Sequence, residues 1–206
     1  MVRGAAATAA RPISGDVGVP VLHEGPRAFT LGGAAKHLGR LETVKVTGQN
    51  FERAIRAVTT TTPGAEPLLH MSAPTIAAVH AGDVLFARFW LRCHDSMTGE
   101  AFATFTFETT AADAVVMTEF RIGAGAEWRE VNVPFRATRH FAPGEARVCF
   151  RLGFDRQTVD IGGIDVRNYG GDARLSDFPT TVITYAGRER DAAWREAAHA
   201  RIEKHR

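Results

Sequence analysis

The fold is decided by the stretch GDVLFARFWLRCHDS, Gly82–Ser96, in which two kinds of position alternate. Successive side chains of a β-strand point to opposite faces, so a period of two divides this stretch into two sides. One side is apolar: Leu85, Ala87, Phe89, Leu91 and Cys93. The other interleaves aromatic rings with basic side chains: Phe86, Arg88, Trp90, Arg92 and His94. The alternation predicts a strand with one core-facing side and one side in a different environment.

Short segments of similar texture follow one another from Leu41 onward. They are rich in Val, Ile, Thr and Phe and are bounded by Gly, Pro, Asn or Asp, which is typical of β-sandwiches and barrels rather than of βαβ units. No internal repeat of fixed period indicates a propeller or a solenoid. We therefore predict an all-β fold. The segments are LETVKVTG, ERAIRAVTTTT, GDVLFARFWLRC, EAFATFTFETT, AVVMTEFRIG, EWREVNVPFRAT, EARVCFRLGF and QTVDIGGIDVRNYG.

The two ends of the chain differ from this middle part. Residues 1–40 are rich in Gly, Ala and Pro, which predicts an extended segment that partly joins a sandwich formed by residues 41–186. For residues 187–206 we predict a helix, with Asp191 as N-cap and Trp194, Ala198 and Ile202 at helical spacing. The pattern has no Gly or Pro stop signal, so we expect this helix to lead to a further domain of a longer protein. The alternative is a terminal helix that packs on the sandwich through Trp194.

The composition excludes several classes of function. The 206 residues include 25 Lys and Arg against 23 Asp and Glu, and a net charge of +2 is too small to indicate a nucleic-acid partner. Two cysteines, Cys93 and Cys149, are too few for a disulfide scaffold, although a single bridge or two buried thiols both remain open. No apolar run has the length of a membrane span.

Catalytic and metal-binding motifs are missing from the sequence. The eight histidines show no His-x-His spacing and do not combine with the cysteines into a zinc motif. There is no Gly-x-Ser-x-Gly elbow, and carboxylate pairs such as Glu100 with Glu108 do not stand out among 23 acidic residues. The glycines of GGAAKHLG and IGGID lack a phosphate-loop context. We therefore expect a protein that is not an enzyme.

The aromatic and arginine side of Gly82–Ser96 is the remaining candidate for function. A second segment, EARVCFRLGFDRQ, also holds arginines on one side, Arg147 and Arg151. Two such strands would form a shallow groove in which rings cover the C–H faces of sugars and polar side chains bond their hydroxyls. The alternative is that Phe86 and Trp90 are covered by a terminal segment. We expect Trp128 to lie in the core.

Five segments resemble the carbohydrate-binding-module-like domain found ahead of family-ten glycoside hydrolases, the endo-β-1,4-xylanase group. The resemblance runs from about Leu41 to the end of the chain. It implies a jelly-roll β-sandwich of the galactose-binding-like type, binding of plant cell-wall polysaccharide such as xylan, and a terminal helix that leads to a catalytic barrel. The segments are GQNFERAIRAVTTT, AGDVLFARFWLRC, EWREVNVPFRA, FRLGFDRQTVDIGGIDVRNYG and TYAGRERDAAWREAAHARIEKHR.

The resemblance also maps particular positions. Related xylan-binding modules place a tyrosine and, four residues later, an acidic residue before the final hairpin; these positions are Arg151 and Asp155 here, so only the acidic character is kept. Related modules often end that hairpin with IDDV, whose aspartates help hold a structural calcium. Gly162 and Gly163 stand at those two positions, and we therefore expect no cofactor. The cleft tryptophan of the relatives has no counterpart in PGAEPLLHMSAP, residues 63–74.

Together these features predict a non-catalytic carbohydrate-binding module of a larger, secreted glycoside hydrolase. Its expected partners are plant cell-wall polysaccharide, namely xylan or a related β-glycan with acidic ones included, and a C-terminal catalytic domain; we expect neither nucleic acid nor membrane as a partner. Two alternatives stay open: an ancillary domain that packs against the catalytic barrel without binding sugar, and a small free-standing hydrolase. The predicted binding residues are Phe86, Arg88, Trp90, Arg92, Arg151, Asp155 and Gln157.

Overall fold

The computed structural model describes residues 18–111 and 114–182; the helix predicted for residues 187–206 lies outside them. The described residues form eleven strands joined by turns and single 3-10 turns, and none of their helices is long and apolar enough to cross a membrane. The strands are β1 (Val19–Pro20), β2 (Thr30–Gly32), β3 (Gly39–Lys45), β4 (Arg53–Thr59), β5 (His70–Pro74), β6 (Val84–Ser96), β7 (Ala101–Thr109), β8 (Val116–Ala124), β9 (Arg129–Arg136), β10 (Ala146–Arg151) and β11 (Gln157–Asn168).

The strands make two antiparallel sheets that pack face to face. The β6 sheet has the order β3-β4-β11-β6-β9, and β1 pairs with β11. The β10 sheet has the order β2-β5-β10-β7-β8. The prediction of an all-β sandwich is thus confirmed, and every segment predicted as a strand is one. Strand β5 is not among the predicted strands; its pairing with β10 and the burial of Met71 and Ala73 make it a strand.

The core lies between the two sheets and takes the apolar side of β6, as the alternation predicts. The rings of Phe89, Phe105 and Phe150 meet there, with centroids 4.9 to 5.6 Å apart. Burial of each such ring contributes roughly 2–3 kcal/mol to stability. This packing leaves the other side of β6, and the arginine side of β10, on the outer faces of the sandwich.

The two cysteines lie in different places, and neither forms a disulfide. Cys93 faces the core from β6, whereas Cys149 lies on the arginine side of β10 and is nonetheless buried. Burial raises the pKa of the Cys149 thiol to about 12. Both cysteines are buried thiols, and of the two arrangements left open by the sequence the single bridge is not formed.

Candidate functional site

The predicted binding residues do not form one groove. Phe86, Arg88, Trp90 and Arg92 lie on the outer face of the β6 sheet, whereas Arg151 lies on the outer face of the β10 sheet. Because the inner faces of the sheets pack together, side chains that point outward from β6 and from β10 point away from each other. The prediction of a shared groove is therefore wrong. We name the two surfaces the β6 face and the β10 face.

Gln157 has a structural position rather than one on either face. Its side chain is 3% exposed and points inward from the start of β11. The amide oxygen accepts a hydrogen bond from the Phe102 backbone N–H at 2.8 Å, and the amide nitrogen donates to the Phe102 carbonyl at 2.8 Å. Gln157 thus links the β6 sheet to β7 of the other sheet. Its predicted contact with sugar hydroxyls is wrong, because those hydrogen bonds are already made within the protein.

Asp155 lies in the loop between β10 and β11 and is half-buried. Its carboxylate accepts hydrogen bonds from the Thr62 hydroxyl and from the Arg156 backbone N–H. These contacts hold the loop in place. A role for Asp155 in binding sugar stays a prediction.

Other parts of the chain pack against Phe86 and Trp90, so their positions do not support the prediction that these rings stack on sugars. The ring of Phe178, which follows the 3-10 turn Leu175–Asp177, lies 5.2 Å from that of Phe86. Trp90 is only 9% exposed, because the ring of Phe51 lies 5.4 Å from its indole. Phe51 comes from the connection between β3 and β4. Neither covering residue was singled out by the sequence analysis.

Gly162 and Gly163 make room for these rings. They lie at a bulge of β11 against β6, and Gly163 has a φ of +59°. A Cβ on Gly163 would stand 2.6 Å from the Trp90 indole, and a Cβ on Gly162 would stand 2.8 Å from Phe51 Cζ and closer still to Cε2. Aspartates would not fit here. The glycines therefore allow the aromatic packing that occupies this space.

The residues at Gly162 and Gly163 also do not provide the oxygen ligands that a calcium ion needs. Calcium takes six to eight oxygen ligands, and Gly162 and Gly163 supply no side-chain oxygen. Within residues 18–111 and 114–182, no three His, Cys, Asp or Glu side chains are grouped as metal ligands. The residues present thus favour aromatic packing over ion binding.

Trp128 and Phe51 are half-buried rings on the β6 face, as is Phe86 farther along β6. Trp128 and Phe51 meet edge to face with centroids 5.2 Å apart, and the Arg92 guanidinium lies 4.6 Å from the Trp128 ring. The prediction that Trp128 lies in the core is wrong. The register explains its position: Trp90 pairs with Glu130, so Trp128 stands just before β9 on the same outer side as Arg92. We name Phe51, Trp90 and Trp128 the aromatic cluster.

A buried carboxylate orients the arginines beside this cluster. Asp160 is fully buried and accepts hydrogen bonds from Arg56 at 2.7 and 3.0 Å and from Arg92 at 3.0 and 2.9 Å. Burial alone would raise the pKa of Asp160, but the hydrogen bonds from both arginines outweigh it and lower that pKa. Asp160 is therefore ionised and holds both guanidinium groups. We name these three residues the Asp160 cluster.

The β10 face also has two arginines around a buried carboxylate, but the net charge of this group differs from that of the Asp160 cluster. Glu108 is buried and accepts hydrogen bonds from Arg147 at 2.9 and 2.7 Å and from Arg151 at 3.1 Å. Arg151 also donates to Glu119 at 3.2 Å. The pKa of Glu108 is lowered, because the hydrogen bonds from the arginines and Thr106 outweigh desolvation. We name Arg147, Glu108, Arg151 and Glu119 the Glu108 cluster; it has two positive and two negative groups.

A cavity of about 470 Å³ opens beside Phe51, at the edge of the β6 sheet. Strands β1 and β4 both pair with the same edge of β11. Strand β4 pairs with residues 157–162 of β11 and strand β1 with residues 167–168, and the cavity lies in the gap between the two strands. Its size is within the range of small-molecule pockets. Its polar lining comes from His23, Glu24, Glu52 and Arg53.

Comparisons with known proteins identify the fold. No family model matches the chain, and no curated protein matches it. Among solved structures, a CBM4 domain matches with a TM-score of 0.54 and 14% identity, over 70% of this chain and 96% of that one. The N-terminal cellulose-binding domain of Cellulomonas fimi β-1,4-glucanase C matches with a TM-score of 0.50 and 14% identity, over 83% of this chain and 100% of that one.

A third structure contains a catalytic module as well. The CBM22-1–GH10 modules of Clostridium thermocellum xylanase 10B, in complex with xylohexaose, match with a TM-score of 0.51 and 10% identity, over 72% of this chain and 28% of that one. Identities this low establish the fold alone. The chain is a β-sandwich with the fold of carbohydrate-binding modules.

Proposed function

We propose that this protein is a non-catalytic carbohydrate-binding module that directs a secreted glycoside hydrolase to plant cell-wall polysaccharide. Xylan or a related β-glycan is the proposed ligand, and a glycoside hydrolase domain is the proposed partner in the same chain. The fold shared with CBM4 and with the CBM22-1 module that is solved with xylohexaose supports this proposal. Fold alone does not specify a ligand, so the proposal depends on the surface chemistry.

The observation that carries the proposal is the half-buried Trp128 ring with the Arg92 guanidinium 4.6 Å from its centroid. An indole offers an apolar face for the C–H side of a pyranose, and a neighbouring guanidinium donates to its hydroxyls. Because Asp160 already holds Arg92, binding avoids most of the roughly 0.5–1.5 kcal/mol needed to order such a side chain. The proposed binding surface is therefore the β6 face around Trp128 and Phe51, with Arg88 and Arg92 as donors.

Affinity gel electrophoresis tests this function. We expect retardation of the protein by xylan or by one of glucomannan, β-glucan and pectin, and loss of that retardation in Trp128→Ala. Met97→Ala is the matched control, because Met97 is an apolar side chain that is 70% exposed in the turn after β6. If no polysaccharide retards the wild-type protein, the proposed function is refuted.

The second candidate is an ancillary domain that packs against a catalytic barrel without binding sugar. It is favoured by one observation: Arg151, at the position that the resemblance assigns to a tyrosine, is paired with Glu108 and Glu119 and offers no ring. The same gels separate the two functions. A release of reducing sugar from polymeric xylan by the chain alone would instead support a hydrolase.

A further inference from the structure

We propose that the Asp160 cluster is a subsite for a carboxylate group, and that the ligand is therefore a polysaccharide bearing uronic acids. The carboxylate would be bound by the Nη1 atom of Arg92, in the net positive charge that Arg56 and Arg92 share. This inference rests on the proposed function and names the class of sugar that the β6 face selects. Arg56 was not among the residues predicted from the sequence.

Both guanidinium groups keep donors for a ligand. Asp160 takes the Nε and Nη2 hydrogens of Arg56 and of Arg92, and His94 Nδ1 lies 3.1 Å from Arg56 Nη2. Within residues 18–111 and 114–182, neither Nη1 has a hydrogen-bond partner, and neither is among the buried polar atoms that lack one, so both reach solvent. Arginine donors fixed in this way suit carboxylates, which accept charge-assisted hydrogen bonds.

The balance of charge selects the β6 face over the β10 face. In the Asp160 cluster two guanidinium groups face one ionised carboxylate, which leaves one net positive charge. In the Glu108 cluster two guanidinium groups face two carboxylates, which leaves none. Next to the Asp160 cluster, Glu42 is already paired with Arg40. An anionic sugar therefore gains more at Asp160 than at Glu108.

The position of Trp128 makes this subsite suitable for a sugar acid rather than for a free inorganic anion. Arg92 belongs to the Asp160 cluster and also lies over the Trp128 ring. A uronic acid has a pyranose ring directly bonded to its carboxylate. The pyranose ring would lie against the part of the indole that Arg92 leaves uncovered, while its carboxylate reaches the Arg92 Nη1 atom.

The test compares the same polymer with and without its carboxylate groups, so the protein itself need not be changed. Wild-type protein is run in affinity gels with xylan that carries glucuronic acid branches and with the same xylan after reduction of its carboxylates to alcohols. We expect at least about tenfold tighter binding to the acidic form, from charge-assisted hydrogen bonds. The preference should weaken between 50 and 500 mM NaCl, two test concentrations that screen exposed charges to about 14 and 4 Å.

Two variants locate the effect. Arg56→Gln should lose the preference for the acidic polymer. Arg147→Gln removes an arginine with the same kind of contact to a buried carboxylate, on the opposite face, and should keep the preference. Equal binding of wild-type protein to both polymers would overturn the subsite and leave the proposed function standing. Binding to neither polymer would overturn both, and equal loss in the two variants would overturn the assignment to the Asp160 cluster.

Discussion

Replacing Gly162 by alanine tests whether the glycine pair exists to admit the aromatic cluster. The new Cβ would stand 2.8 Å from Phe51 Cζ and closer to Cε2, and all three of its nearest neighbours are atoms of the Phe51 ring. The ring has little room to withdraw, because the centroids of Trp90 and Trp128 lie 5.4 and 5.2 Å from its own. The substitution is therefore a small-to-large change against one identified side chain.

The expected size follows from two opposing effects. Overpacking of this kind costs about 1–3 kcal/mol. Removal of a glycine from a strand interior recovers about 0.5–1 kcal/mol. In the Phe51→Ala background the clash is gone and only the second effect remains. We therefore expect Gly162→Ala to destabilise the wild-type protein by about 1 kcal/mol, within a range of about 0–2.5 kcal/mol, and to stabilise Phe51→Ala by about 0.5–1 kcal/mol.

Urea unfolding of the wild type, Gly162→Ala, Phe51→Ala and the double variant measures the coupling between positions 51 and 162. Gly125→Ala is the control, since a Cβ at that position would meet nothing within 4 Å, and its free energy of unfolding should change by less than about 0.5 kcal/mol. If Gly162→Ala has the same effect with and without Phe51, within about 0.5 kcal/mol, the Phe51 clash is not the reason for the glycine.

Three further predictions concern buried polar groups. Gln157→Ala leaves the backbone N–H and carbonyl of Phe102 without their partner and should destabilise the protein by about 2–4 kcal/mol in urea unfolding; a loss below about 0.5 kcal/mol would contradict this. Asp160 and Glu108 have lowered pKa values in the folded protein, so they stabilise it above their unfolded pKa of about 4, and this contribution is lost as the pH falls below that value. The urea concentration at the unfolding midpoint should therefore be lower at pH 3 than at pH 5, two assay conditions that bracket that pKa. The decrease should be smaller in Asp160→Asn than in the wild type. Cys149, with a pKa of about 12, should react with a thiol reagent at neutral pH only after unfolding; rapid reaction of the native protein would refute its burial.

Local pattern predicted much of the fold and only part of the candidate site. The period of two in β6 assigned its core side correctly, because alternation is a property of the strand backbone itself. The same pattern identified the other side as unusual, and Arg92 is indeed oriented there. It did not identify Phe51 or Phe178 as covers, since both come from connections with no periodicity.

Register and pairing explain the remaining errors. The sequence predicts Trp128 in the core, whereas its outward side is set by the pairing of β9 with β6. Arg56 was overlooked because its partner, Asp160, is 104 positions away. The glycines at 162 and 163 were read as a lost pair of carboxylates, and only their neighbours in space explain why glycine is needed.

The sequence by itself determined that this chain is all-β, which residues of β6 enter its core, and that no catalytic motif accompanies them. These properties follow from side-chain alternation and from composition, which act over a few residues. The tertiary structure alone decided that the arginines of β6 and β10 belong to opposite faces, and that Trp128 rather than Trp90 is accessible. It also decided which arginine pair keeps a net positive charge. These properties depend on strand order and on contacts between distant segments, which no short stretch such as Gly82–Ser96 contains.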